Sequence, residues 1–131
     1  MDQSPLVKEM VDAGAKFIGE FAKYVPVQAA FWLKASEEEQ WYLYLASDQI
    51  DDTNFDLAYG EVMRIASRLP DPWLSPFEIK VVSSKDPLAA AVVGFQNKYP
   101  GVNPTRHRSR PLGNRIVEEV FMYPPPATAA I

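Results

Sequence analysis

The chain has 131 residues, of which 47% are apolar and 23% charged, and a net charge of -4. This suits one core of ordinary size and is not the composition of a disordered protein. No run approaches the roughly eighteen apolar residues of a membrane span. The acidic balance argues against a dedicated nucleic-acid binder. The absence of cysteine excludes disulfides, thiolate metal sites and cysteine nucleophiles together, and a cytoplasmic location is expected.

The first residues are polar and lack a basic segment, so no secretory signal is expected. Ser4 followed by Pro5 predicts a helix N-cap with proline at the first helical position. Leu6, Met10, Phe17, Ile18 and Phe21 then recur at helical spacing, and Pro26 ends the helix near Tyr24. Gly14 and Gly19 weaken this helix unless something packs closely against them.

Val27 to Leu33 and Trp41 to Ala46 are predicted strands, joined through Glu37, Glu38 and Glu39 as a hairpin. Both parities of both strands are apolar, whereas a strand buried on one side alternates. Either the hairpin is central and covered on both faces, or one aromatic face is an interface. Trp32, Trp41, Tyr42 and Tyr44 are the candidate interface residues.

Asp51 to Asn54 supplies caps for a second helix carrying Phe55, Ala58, Val62, Ile65, Ala66 and Leu69. Pro70-Asp71-Pro72 breaks it, and Phe77 to Val82 alternates as a half-exposed strand. Asp86 caps a third helix that starts at Pro87 and stops at Pro100-Gly101. Thr105 to Arg110 and Arg115 to Tyr123 form a last hairpin, ended by Pro124-Pro125-Pro126.

The expected fold is therefore α+β, in the order α-β-β-α-β-α-β-β, with a five-stranded, mostly antiparallel sheet packed with three helices. Residues 1–126 form one domain and 127–131 a flexible tail. The stretches Ala30 to Leu33, Trp41 to Ser47, Val81 to Leu88 and Val117 to Tyr123 resemble those of small uncharacterised bacterial α+β proteins. That likeness spans roughly residues 5–123. It implies a stand-alone bacterial domain and brings no catalytic residues with it.

The charges are sorted along the chain. Ala35 to Met63 holds eight acidic residues and no Lys or Arg. Pro87 to Val117 holds no acid but contains Lys98, Arg106, Arg108, Arg110, Arg115 and the single histidine, His107. On a strand, Arg106, Arg108 and Arg110 share a parity and can track phosphates, with Arg115 across the turn. With the turn centred on Leu112-Gly113, Arg106 falls opposite Glu119 and His107 opposite Glu118, so the competing reading is internal pairing.

Other constellations fail on their own terms. Asp52, Asn54 and Asp56 have calcium-loop spacing, but Leu57 and Met63 stand where that loop needs glycine and a bidentate glutamate. Asp71 with Glu78 and Lys80 echoes a metal-dependent nuclease, yet only six residues separate the two acids. One histidine without cysteine makes no ordinary zinc site, and no phosphate-binding glycine loop or Gly-x-Ser-x-Gly motif is present. No metal, cofactor or catalytic residue is expected. The sequence points to a non-enzymatic interaction or accessory domain with a second copy as candidate partner. The alternative is a nucleic-acid or phosphate-binding module using the arginine hairpin.

Overall fold

A computed structural model describes residues 6–35, 40–98, 105–112 and 115–123. The elements are α1 (Lys8–Phe21), β1 (Ala29–Ala35), β2 (Tyr42–Ser47), α2 (Phe55–Arg68), a 3-10 turn (Pro76–Glu78), β3 (Ile79–Ser83), α3 (Pro87–Lys98), β4 (Thr105–Leu112) and β5 (Arg115–Met122). The class is α+β, with three helices among the described residues packed against a mixed sheet of order β3-β2-β1-β5-β4. The β1–β2, β1–β5 and β4–β5 pairs are antiparallel, whereas β2 and β3 run parallel because α2 carries the chain across between them.

The doubly apolar hairpin is explained by this order. β1 lies at the centre of the sheet with β2 beside it. Trp32, Leu43, Leu45, Ile79 and Val81 pack with α1 and α2 on one face, while Phe31, Leu33, Tyr44, Val120 and Met122 pack with α3 on the other. A strand covered on both faces has no wet side on which to place polar residues. The alternating parity of Ile79, Lys80, Val81 and Val82 follows from the sheet margin, where Lys80 and Val82 keep partial solvent contact.

Three local details depart from expectation. α1 begins at Lys8, after Val7, without a side-chain cap, and Ser4 and Pro5 lie outside the described residues. The third strand starts at Ile79 rather than Phe77, because a capping box winds Pro76–Glu78 into a 3-10 turn. In that box Ser75 Oγ accepts from Phe77 N at 3.2 Å, and the Glu78 carboxylate accepts from Ser75 N at 3.0 Å. The helix α2 follows Asn54, whose side chain makes no cap bond; Asn54 and Asp51 order the loop before it instead. Asp51 accepts from the backbone N–H and hydroxyl of Thr53, and these bonds hold its carboxyl below the usual aspartate value. By contrast Asp86 accepts from Leu88 N at 3.0 Å, the cap expected for α3.

Gly14 sits where α1 comes closest to the sheet. Trp32 Nε1 donates to Tyr123 Oη at 2.9 Å, and Tyr123 Oη donates to the Val11 carbonyl at 2.8 Å. A Cβ on Gly14 would fall against that phenolic oxygen and 3.0 Å from the indole nitrogen. Gly19 faces open space, so the packing argument applies to Gly14 alone of the two.

The β3 margin is closed by a side chain. Tyr59, from α2, accepts from Val81 N at 2.9 Å and donates to Val81 O at 3.5 Å. These backbone groups point away from β2 and would otherwise offer a ladder to another strand. Tyr59→Phe is expected to cost about 1 kcal/mol, since Val81 is buried and loses its partner. It should also make the protein more prone to aggregate. Urea midpoints and light scattering check both, and an unchanged midpoint would mean that water satisfies Val81.

Candidate interaction surfaces

The aromatic hairpin is core rather than surface. Trp32, Trp41 and Tyr44 are 0%, 3% and 4% exposed, so the expected interface is not formed by these three. The physical reason is the central position of β1 and β2, where helices cover each face. Tyr42 alone of the four is half-buried. Lys80 lies over its ring at 4.4 Å and over the Tyr44 ring at 6.0 Å, while Tyr44 stacks on Phe31 at 5.1 Å. The ammonium thus lies over an aromatic row on the α3 face of the sheet, a contact that stabilises the sheet by a cation–π attraction.

The basic hairpin is paired in a different register from the expected one. Arg108, not Arg106, is opposite Glu119; Arg106 is opposite Phe121 and His107 opposite Val120. Arg110 faces Val117, and Arg115 faces Leu112, so Arg110 and Arg115 are not cross-strand neighbours. The ladder runs on to Leu112–Arg115. Moving the turn centre by one residue moves every cross-strand partner by two. Glu119 is also opposite Lys34 on β1, a lysine only 3% exposed. One ladder row therefore reads Lys34, Glu119, Arg108 across three strands.

The nuclease-like residues do not converge. Asp71 Oδ1 accepts from Trp73 N at 2.8 Å, Glu78 is committed to the capping box, and Lys80 is on the tyrosine row. Among the described residues no three His, Asp or Glu side chains are grouped to hold a metal ion. Nor is any described helix long and apolar enough to cross a membrane.

The surface that sequence reasoning passed over is the connection after α2. Leu69-Pro70-Asp71-Pro72-Trp73-Leu74-Ser75-Pro76-Phe77 contains three prolines and one charge. Leu69, Trp73 and Phe77 are 46%, 47% and 80% exposed. The backbone is nevertheless tied: Asp71 closes a turn onto Trp73 N, Leu74 N donates to Asp71 O at 3.2 Å, and the capping box fixes Ser75 to Glu78. Leu74 anchors the segment in the core.

Beside it lies a pocket of about 170 Å³ between α1 and the end of α2, floored by Ala13, Phe17, Ala66 and Leu74, with Lys16 and Asp71 also lining it. Drug-sized ligands and cofactors occupy roughly 300–1,000 Å³. This pocket has room for one large side chain instead. Three prolines around a tryptophan in a loop were the available sequence signal; the helix-breaking role of Pro70 and the strand-like alternation from Phe77 concealed it.

Compared with known protein families, curated proteins and solved structures, the chain matches none.

Proposed function

We propose that the chain is a non-enzymatic, cytoplasmic interaction domain that pairs with a second copy through the 69–77 surface. The observation that supports this most is the rigid, nearly uncharged presentation of Leu69, Trp73 and Phe77 to solvent. Tryptophan and phenylalanine are favoured at interface centres and charge is depleted there. A segment already held by prolines and turn hydrogen bonds loses little freedom on binding. The same segment carries a half-exposed indole, and its Leu69, Pro70, Asp71 and Leu74 line a pocket sized for one large side chain, a combination that suits a two-fold interface.

Trp73 makes the test direct. It is the exposed tryptophan of the three, the others being 0% and 3% exposed, so fluorescence quenching by acrylamide reports on it. Raising the protein concentration should increase the weight-average mass in sedimentation and shield Trp73 from acrylamide. Trp73→Ser with Phe77→Ser should restore the monomer mass while leaving the circular dichroism unchanged. A chain that remains monomeric, with Trp73 equally accessible at every concentration, would overturn the reading.

A second reading draws on Arg106, Arg108 and Arg110 at alternate positions of β4, with Arg115 beginning β5. They would bind phosphate or a nucleic acid. A salt-sensitive RNA or DNA shift, lost on converting Arg106, Arg108 and Arg110 together to Ala, is its expected signature.

A further inference from the structure

The two margins of the sheet are not alike. At β3 the outward backbone groups of Val81 are taken by the Tyr59 phenol. At the other margin β4 pairs with β5 alone among the described residues, and α3 packs on one face of the sheet. A strand at such a margin presents a row of backbone donors and acceptors that can take up another extended segment. Among the described residues, then, β4 has a neighbour on one side only, whereas at β3 the outward groups of Val81 are already taken.

The sequence of β4 selects what can be added. Thr105–Leu112 holds Arg106, Arg108 and Arg110 at alternate positions, and no acid. A second copy of β4 brings no complementary charge. In the antiparallel register centred on Arg108, it would set arginine opposite arginine at every one of these positions, which is destabilising. Pro111 further removes one backbone donor near the end of the strand. Arginine and proline at a margin are devices that discourage self-pairing. The same charges attract a strand of opposite sign, because guanidinium and carboxylate form short, charge-assisted and often bidentate hydrogen bonds.

We propose that β4 is a docking edge for an acidic extended segment of another protein, one with carboxylates at every second position, which adds to the sheet as a sixth strand beside β4. Backbone hydrogen bonds supply much of the affinity, and the alternate carboxylates set the register against Arg106, Arg108 and Arg110. This surface is separate from the 69–77 segment. The Trp73→Ser/Phe77→Ser variant accordingly keeps it, so failure of one reading leaves the other intact.

The test uses the full chain and a fluorescent peptide of about ten residues, glutamate alternating with valine or threonine, read by anisotropy. It should bind at least about tenfold more tightly than a peptide of the same composition with its glutamates contiguous. Added salt should weaken it, and Arg106→Gln/Arg108→Gln/Arg110→Gln should abolish it. Two further peptides, methylated on one or the other set of alternate backbone nitrogens, remove the N–H groups facing β4 or those facing solvent. One should fail to bind and the other should bind normally, a result that needs no protein variant. Equal binding of the alternating and contiguous peptides, or indifference to both methylation patterns, reduces the interaction to charge alone and overturns the proposal. Absence of peptide binding does so as well. If a single-stranded RNA binds where no peptide does, the arginines belong to a phosphate site.

Discussion

Gly14→Ala will destabilise the protein by about 2 kcal/mol, although alanine is the better helix former by about 1 kcal/mol. The new methyl group would land on Tyr123 Oη and lie 3.0 Å from Trp32 Nε1. Neither can retreat cheaply: Tyr123 is held by two hydrogen bonds and Trp32 is 0% exposed. Overpacking of this kind costs about 1–3 kcal/mol, and a displaced phenol also weakens the bonds to Trp32 and Val11, each worth about 0.5–1.5 kcal/mol. Those losses exceed the gain in helix propensity. Gly19→Ala and Gly60→Ala provide the contrast, since nothing lies within 4 Å of either new methyl group. They should stabilise by about 0.5–1 kcal/mol. Urea unfolding of the three variants separates the effects by sign, and a stabilised Gly14→Ala would refute the close approach.

Tyr123→Phe is expected to cost about 2 kcal/mol, within the usual range of about 1–3 kcal/mol for stranding a buried polar group. The indole N–H of Trp32 would lose its acceptor and the Val11 carbonyl one of its donors. The same change removes the atom that Gly14→Ala strikes first. In the Tyr123→Phe background, Gly14→Ala should therefore cost about 1 kcal/mol less than in the original chain, a coupling between touching residues that a double-mutant cycle measures. Additive losses would mean that the two sites act independently.

The same phenol gives a pH dependence. Burial pushes the Tyr123 pKa up from its ordinary value of 10.0, with Asp12 adding to the rise and the Trp32 hydrogen bond opposing it. The folded state holds Tyr123 neutral where the unfolded chain would ionise it. Its contribution is thus complete below about pH 10 and is lost as the pH climbs above it. Tyr123→Phe should flatten that alkaline decline in unfolding experiments above pH 10.

Much of this architecture is written in local chemistry. The 3.6-residue spacing of Phe17, Ile18 and Phe21 made α1 legible, as Asp86-Pro87 did for the start of α3. The apolar residues at both parities of β1 and β2 indicated two covered faces or an interface. Burial of Trp32, Trp41 and Tyr44 resolves that choice for these residues. The alternation of Phe77 with Ile79 resembles that of a strand. The reciprocal bonds of Ser75 and Glu78 instead favour a 3-10 turn. Likewise, the pairing of Arg108 with Glu119 depended on where the last hairpin turns, which periodicity cannot supply.

By itself, then, the sequence determined the α+β class, the sorting of acid and arginine into separate stretches, and the lack of thiol chemistry, because these depend on composition and short-range spacing. Only the tertiary structure decided that the aromatic hairpin is core, that Tyr59 seals one margin of the sheet while β4 forms the other, and that Leu69, Trp73 and Phe77 remain exposed beside a pocket. Those features depend on which strands become neighbours and which helix crosses which face. Contacts between residues distant in sequence establish them, and local patterns of side chains leave more than one arrangement open.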